Sequence, residues 1–210
     1  MSAHKPLDTM TRNAVLAAIA FPLLLGGCIS LFPKTKPVQM YRFGDQAAAP
    51  AAAAPAAAAP PVVQKGPIAF PPASGGDRIL TVTGSEDAYV GGARWVAPAA
   101  TLFDEALLKA FDAPGAPRLV ARGEPLAAPS LLRLDVRSFE ARYPGPTVRV
   151  QVRATLIRNA DRALIAEKMF EAEVPASDNR QGPIVAAFDQ AVGQVLGAVR
   201  DWTAGNAPAK

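Results

Sequence analysis

Cysteine and histidine are nearly missing from this 210-residue chain, which carries Cys28 and His4 alone of those types. One cysteine excludes an internal disulfide. His4 lies in a segment that reads as removable, so the processed chain would hold no histidine. That excludes Ser-His-Asp and Cys-His nucleophile arrangements and any histidine-based zinc site. Charge of one sign is not concentrated either. The formal net charge is +4 with no basic run, which argues against nucleic acid. Gly91-Gly92-Ala93-Arg94-Trp95 is glycine-rich but lacks the Gly-Lys-Ser ending of a phosphate loop and the spacing of a dinucleotide fingerprint. Asp104 and Glu105 are adjacent on an expected helix and therefore point apart. Asp77-Arg78 and Glu86-Asp87 fall at loop or strand ends, where solvated charges are ordinary. Ser85 and Ser130 have no base to activate them. The reading is of a non-enzyme, with no cofactor and no metal.

What the sequence does have begins at the N-terminus. Lys5 and Arg12 are followed by an uncharged apolar stretch from Ala14 to Leu25, then by Gly26, Gly27 and Cys28. A charged region, an apolar region and a small-residue cleavage site in that order define a signal peptide, here 1-27. The apolar run is about a dozen residues, short of the roughly 20 that a spanning helix needs. Leu25-Gly26-Gly27-Cys28 resembles the lipobox of bacterial lipoproteins, with cleavage between Gly27 and Cys28 and lipid on the Cys28 sulfur. That also explains an unpaired cysteine in an exported chain. Ile29 stands where Asp retains enteric lipoproteins in the inner membrane. By analogy the expected address is the periplasmic face of the outer membrane.

Proline, at 21 residues, is unevenly spread. Residues 28-37 read as a tether, and 38-45 as a first strand (Val38 to Phe43) ended by Gly44-Asp45. Residues 46-61 read as an Ala/Pro linker or insertion, because repeated proline blocks the helix that alanine alone would favour. The main domain is expected over 62-204, followed by a disordered tail at 205-210.

Within that domain, Ile79 to Thr83 and Ala88 to Val90 read as a hairpin around a turn at Gly84 to Asp87. Pro98 opens a helix to about Phe111, with Leu102, Phe103, Ala106, Leu107, Ala110 and Phe111 as its apolar stripe. Leu119 to Ala121 is a short strand. Leu132, Leu134, Val136 and Ser138 alternate with charged residues, Val148 to Leu156 alternate more plainly, and Leu164 to Val174 completes an antiparallel meander with one wet face. On that face Arg149 and Arg153 are placed to meet Glu167, Glu171 and Glu173 across the strands. Pro183 opens a last helix to about Trp202, with Ile184, Phe188, Ala191, Val195 and Val199 on one face. The fold class is α+β: an antiparallel or mixed sheet with two helices packed on it, preceded by the signal peptide.

Trp95 precedes a helix and has two readings, a core residue packing that helix on the sheet or an exposed anchor for a partner. Tyr89 and Arg94 are weighed in the same way, and the three together are the candidate partner contacts. Gly76-Asp77-Arg78-Ile79, then Tyr89-Val90-Gly91-Gly92-Ala93-Arg94-Trp95-Val96-Ala97-Pro98 and a short amphipathic helix, resemble the ABC-type transport auxiliary lipoproteins. The strand Leu132 to Glu140, ending in a Phe-Glu pair, and the Tyr41-Arg42-Phe43 strand are similar to the same family. Met40-Tyr41 stands where members often carry a Tyr-Tyr pair, and the Ala/Pro tract looks like an insertion. The resemblance, to lipoproteins of the paraquat-inducible protein C type, implies partners rather than a reaction. These are an ABC permease and ATPase and a periplasmic MCE-class protein, moving lipid between inner and outer membranes. A tethering or assembly lipoprotein of another envelope complex is the alternative, and a hydrolase the remote third.

Overall fold

The computed structural model describes residues 37-45 and 59-208, apart from 122 and 125. The signal segment, Gly27, Cys28, most of the tether and most of the Ala/Pro tract lie outside the described residues. Eight strands and two helices follow one another: β1 Gln39–Tyr41, β2 Val62–Ala69, β3 Arg78–Thr83, β4 Glu86–Trp95, α1 Ala99–Phe111, β5 Arg118–Val120, β6 Ser130–Tyr143, β7 Thr147–Arg158, β8 Leu164–Pro175 and α2 Gln181–Asn206. The result is the α+β class, with a mixed sheet and both helices on it.

β7 shows why a sheet forms here. Val148, Val150, Val152, Ala154 and Leu156 are fully buried on one face, and the residues between them reach solvent on the other. Alternation with period two needs a half-buried strand. Antiparallel partners lie on both sides, β6 and β8, so the meander is observed as read.

β6 departs from simple alternation. Its register with β7 steps from Val136↔Val152 to Ser138↔Gln151, leaving Arg137 as an extra residue. A bulge of one residue exchanges the two faces of everything after it. Leu132, Leu134 and Val136 point to the core before it, and Phe139 and Ala141 after it. The expectation that Ser138 continues the apolar face is therefore corrected: Ser138 is half-buried and Phe139 takes the core side.

The other edge of β6 is shared. β2 runs parallel to its first half, from Val63↔Ser130 to Ala69↔Asp135, and β3 runs parallel to its end, Thr81↔Ala141 to Thr83↔Tyr143. The sheet thus forks at β6, one arm continuing to β5 and the other through β4 to β1. β2 is not visible as a strand in the sequence because Gly66-Pro67 interrupts it. The ladder steps between Lys65 and Ile68 there. A Cβ on Gly66 would sit 2.6 Å from the Leu132 carbonyl oxygen, so the close approach admits glycine alone.

The first helix carries the expected stripe, all of it buried. The second starts at Gln181, ahead of Pro183, and packs its apolar face across β7, β8 and α1. It is long and apolar enough to cross a membrane by length and composition, yet its stripe is core. It also runs to Asn206, into the segment read as a tail. The Ala207 backbone N–H donates to the Thr203 carbonyl at 2.9 Å and the Asn206 side-chain Nδ2 donates to the Trp202 carbonyl at 2.8 Å, which close the last turn.

Phe139 is the centre of the core. Its ring lies 5.2 Å from Phe43 after β1, 5.2 Å from Phe70 after β2, 6.4 Å from Trp95 on β4, 6.4 Å from Phe103 on α1 and 4.8 Å from Phe188 on α2. On the wet face Arg149 Nε lies 2.5 Å from Glu171 Oε1 and 3.6 Å from Glu173 Oε1, while Arg153 Nε lies 4.0 Å from Glu167 Oε1. The Arg149 guanidinium, with help from the Gln151 amide, holds the Glu171 carboxyl below the usual glutamate range against the opposing pull of burial.

Phe139→Ala leaves a void where five rings meet and is expected to cost about 3–5 kcal/mol in urea unfolding. Because the folded pKa of Glu171 is lowered, its contribution is complete above the unfolded value of about 4.3 and is lost as pH falls through the folded one. The stability difference between the parent and Glu171→Gln is therefore expected to stay under about 1 kcal/mol at neutral pH and to vanish in acid. Unfolding series in buffered urea measure it.

Candidate functional site

The segment that carries the family resemblance folds into one corner, where β4 ends and α1 begins. α1 has no side-chain cap. Its first amides are met instead by the preceding loop: Ala99 N–H donates to the Gly76 carbonyl at 2.9 Å and Ala100 N–H to the Gly75 carbonyl at 3.2 Å. These are orphan donors that every helix start must satisfy. The same loop continues into Asp77, whose carbonyl accepts the Trp95 amide at 2.7 Å and whose Oδ2 lies 2.7 Å from Arg94 Nη1. β1 is tied in by Val96 N–H donating to the Tyr41 carbonyl at 2.8 Å. Gly92 sits at φ +69°, a left-handed conformation suited to glycine, and the neighbouring Gly91 carbonyl accepts Gln181 Nε2 at 2.7 Å from the start of α2.

Each candidate residue has a definite place in this corner. Trp95 is 1% exposed, in edge-on contact with Phe43 at 4.9 Å and with Phe188 at 5.4 Å. Of its two readings, the structure places it in the core, so its side chain is not on the surface as a partner anchor. The cause is alternation: Ala93 and Trp95 share the buried face of β4, and Arg94 between them faces outward. Arg94 is about half exposed, in its ion pair with Asp77. Tyr89 is half-buried, with the Arg78 guanidinium 3.6 Å above its ring and its hydroxyl donating to the Ala73 carbonyl at 3.1 Å. Gly27 and Cys28 lie outside the described residues.

The expectation that Asp77-Arg78 carries merely solvated charge missed two partners. Asp77 pairs with Arg94 and Arg78 covers Tyr89, contacts between strands that no local pattern announces. Asp104 and Glu105 do point apart, to Lys65 on β2 and to Arg42 after β1 respectively. Among the described residues no group of three or more metal-ligating side chains converges. Exposed apolar side chains lie beside Arg94: Met40, its register partner on β1, is 55% exposed and Val96 is 45% exposed. The corner therefore offers a surface for contact, with an aromatic core beneath it.

The fold and this corner define an α+β domain with exposed apolar side chains beside an ion pair, and comparison with known proteins specifies it. The chain belongs to the family described as the ABC-type transport auxiliary lipoprotein component, which matches residues 41–199. It is similar in structure to protein XCC0632 from Xanthomonas campestris, at 25% identity and TM-score 0.70, covering 80% of this chain and 96% of that one. A second solved structure, of an uncharacterized protein, shares the fold at 16% identity and TM-score 0.58, covering 79% of this chain and 97% of that one. No curated protein matches the chain. The family places the protein with an ABC transporter as an auxiliary lipoprotein component.

Trp95→Ala is expected to cost about 3–5 kcal/mol of unfolding free energy, as befits a core ring. Arg94→Ala is expected to cost under about 1 kcal/mol, because its pair is half exposed. Chemical denaturation of the two variants separates the packing residue from the surface one.

Proposed function

We propose that this protein is a non-catalytic, lipid-anchored accessory component of an MCE-type ABC transporter that moves lipid across the periplasm between inner and outer membranes. The observation that carries this reading is the family match over residues 41–199, joined to the lipobox-like Leu25-Gly26-Gly27-Cys28. Diacylglyceryl and N-acyl chains on Cys28 hold the domain at a membrane. Each buried methylene contributes ~0.8 kcal/mol, and more than one chain is needed for stable anchoring. Ile29 directs it to the outer membrane. Residues 28-37 then tether the domain, the Ala/Pro tract at 46-61 is a spacer, and the folded part runs from 62 to the end of α2 at Asn206, with the strand at 38-45.

Partner contact in this reading runs over the β4–α1 corner. Arg94, Tyr89 and the exposed Met40 and Val96 meet the MCE protein, and Trp95 acts from below by fixing the backbone that presents them. Contact residues of this kind, an arginine and an aromatic beside exposed apolar groups, are the types enriched at interface hot spots.

Affinity purification from crosslinked cells, followed by mass spectrometry, is expected to recover an MCE protein with its permease and ATPase. Arg94→Ala should reduce that recovery while costing under about 1 kcal/mol of stability, and Cys28→Ala should move the chain from the membrane to the soluble fraction. Recovery of unrelated envelope proteins alone would sink the transport reading in favour of an assembly role.

A further inference from the structure

Tyrosine is scarce in this chain, at three residues. β1, β4 and β6 bring all three, Tyr41, Tyr89 and Tyr143, into the lining of one open groove of about 920 Å³ at the first turn of α2. Thr81 and Thr83 of β3 and Asn179 ahead of α2 complete its polar lining. Arg180 is the one charged side chain there, and it is already matched: Nε and Nη2 lie 2.9 and 2.6 Å from Asp178 Oδ2. The Asp178 carboxyl is held below the usual range by the hydrogen bonds from that guanidinium and from the Arg180 amide. An aromatic, hydroxyl-rich and almost uncharged groove stands out on a surface otherwise laced with ion pairs.

Chemistry narrows what such a groove can take. An acyl chain needs an apolar lining, and here Ile184 is 1% exposed, leaving Val90 and Pro183 as the apolar surface. A phosphate headgroup is held best by several converging cations, and here there is one arginine, whose charge is balanced by the Asp178 carboxylate that takes two of its N–H groups. An added peptide strand needs an open ladder; β3 is paired by β4 and by β6, and although β1 covers only Ala93 to Trp95 of β4, the Gly91 carbonyl beyond it is already taken by Gln181 Nε2. What fits is a neutral ligand with flat C–H faces to lie on tyrosine rings and many hydroxyls to pair with amide and hydroxyl groups.

Two of the three rings are held in advance. The Tyr41 hydroxyl bonds Gln39 and lies 3.3 Å from Gln181 Oε1, and Tyr89 is fixed by Arg78 and the Ala73 carbonyl. Among the described residues the Tyr143 hydroxyl has no hydrogen-bond partner. Rigid aromatic surface lowers the entropy lost on binding, and the volume is that of a small-molecule site at the large end of the usual range. We infer that this groove is a carbohydrate-binding site for a short, neutral glycan segment. The inference goes beyond the transport role and does not rest on it.

The full-length protein in zwitterionic nanodiscs is titrated with chitotetraose and with maltotetraose, read by saturation-transfer NMR and calorimetry without any transport partner. Transfer to sugar ring protons on irradiation of protein aromatic protons is expected for at least one of the two. Chitotetraose alone points to an N-acetylated source and maltotetraose to a plain hexose source. Tyr143→Ala is expected to weaken binding by about tenfold or more, and Tyr143→Phe by less than that, since the ring remains. Should Tyr143→Ala fail to fold, the aromatic transfer in the parent and the Tyr143→Phe titration decide. No transfer from either sugar, undiminished affinity in folded Tyr143→Ala, or binding confined to phosphatidylglycerol vesicles or to extended peptides overturns the inference.

Discussion

One extra residue in one strand organises this domain. At Arg137 the β6 ladder takes up a bulge, and every side chain beyond it changes face. Without it Phe139 would stand in water and Ser138 in the core. With it, Phe139 enters the space where rings from after β1, after β2, from β4, from α1 and from α2 converge. The bulge also lies between the stretch of β6 that pairs with β2 and the stretch that pairs with β3. The forked sheet and the aromatic centre therefore share one local cause.

The Gly-rich segment before α1 shows how a surface motif is supported from within. Trp95 anchors the end of β4 in the same aromatic centre, and Gly75, Gly76 and Asp77 give their carbonyls to the first amides of α1 and to Trp95. Arg94, alternating outward, meets the Asp77 carboxylate. The motif is thus first a structural joint between sheet and helix. Its inward residues are packed in the core while Arg94 faces solvent.

Most of the surface charge in this domain is paired. Charges on the wet face are spent on each other, as Arg149 is on Glu171 and Glu173. The helix charges Asp104 and Glu105 are spent on separate strands. Aromatic and hydroxyl groups are the ones left lining an open groove. These arrangements belong to an auxiliary lipoprotein component of an ABC transporter.

Much of this protein was legible in its residues. The β7 alternation, the α1 stripe and the α2 stripe each follow from a period that a single strand or helix imposes on its own sequence. The α+β class and the meander followed from those periods, and the family from the residues Gly76 to Pro98. The rest depended on relations between elements. β2 was hidden because Gly66-Pro67 breaks its pattern, yet the Leu132 carbonyl needs that glycine. The Phe139 face was hidden because a bulge is defined against a partner strand. The core place of Trp95 was settled by rings contributed from far along the chain, and the tyrosine groove by three strands and the start of a helix. Sequence by itself determined both helices, the meander, the class of the fold and the family, since local periodicity and motif spacing are written along the chain. Tertiary structure alone decided which residues are core and which are surface at the β4–α1 corner, because burial belongs to the assembly of elements and not to any one of them.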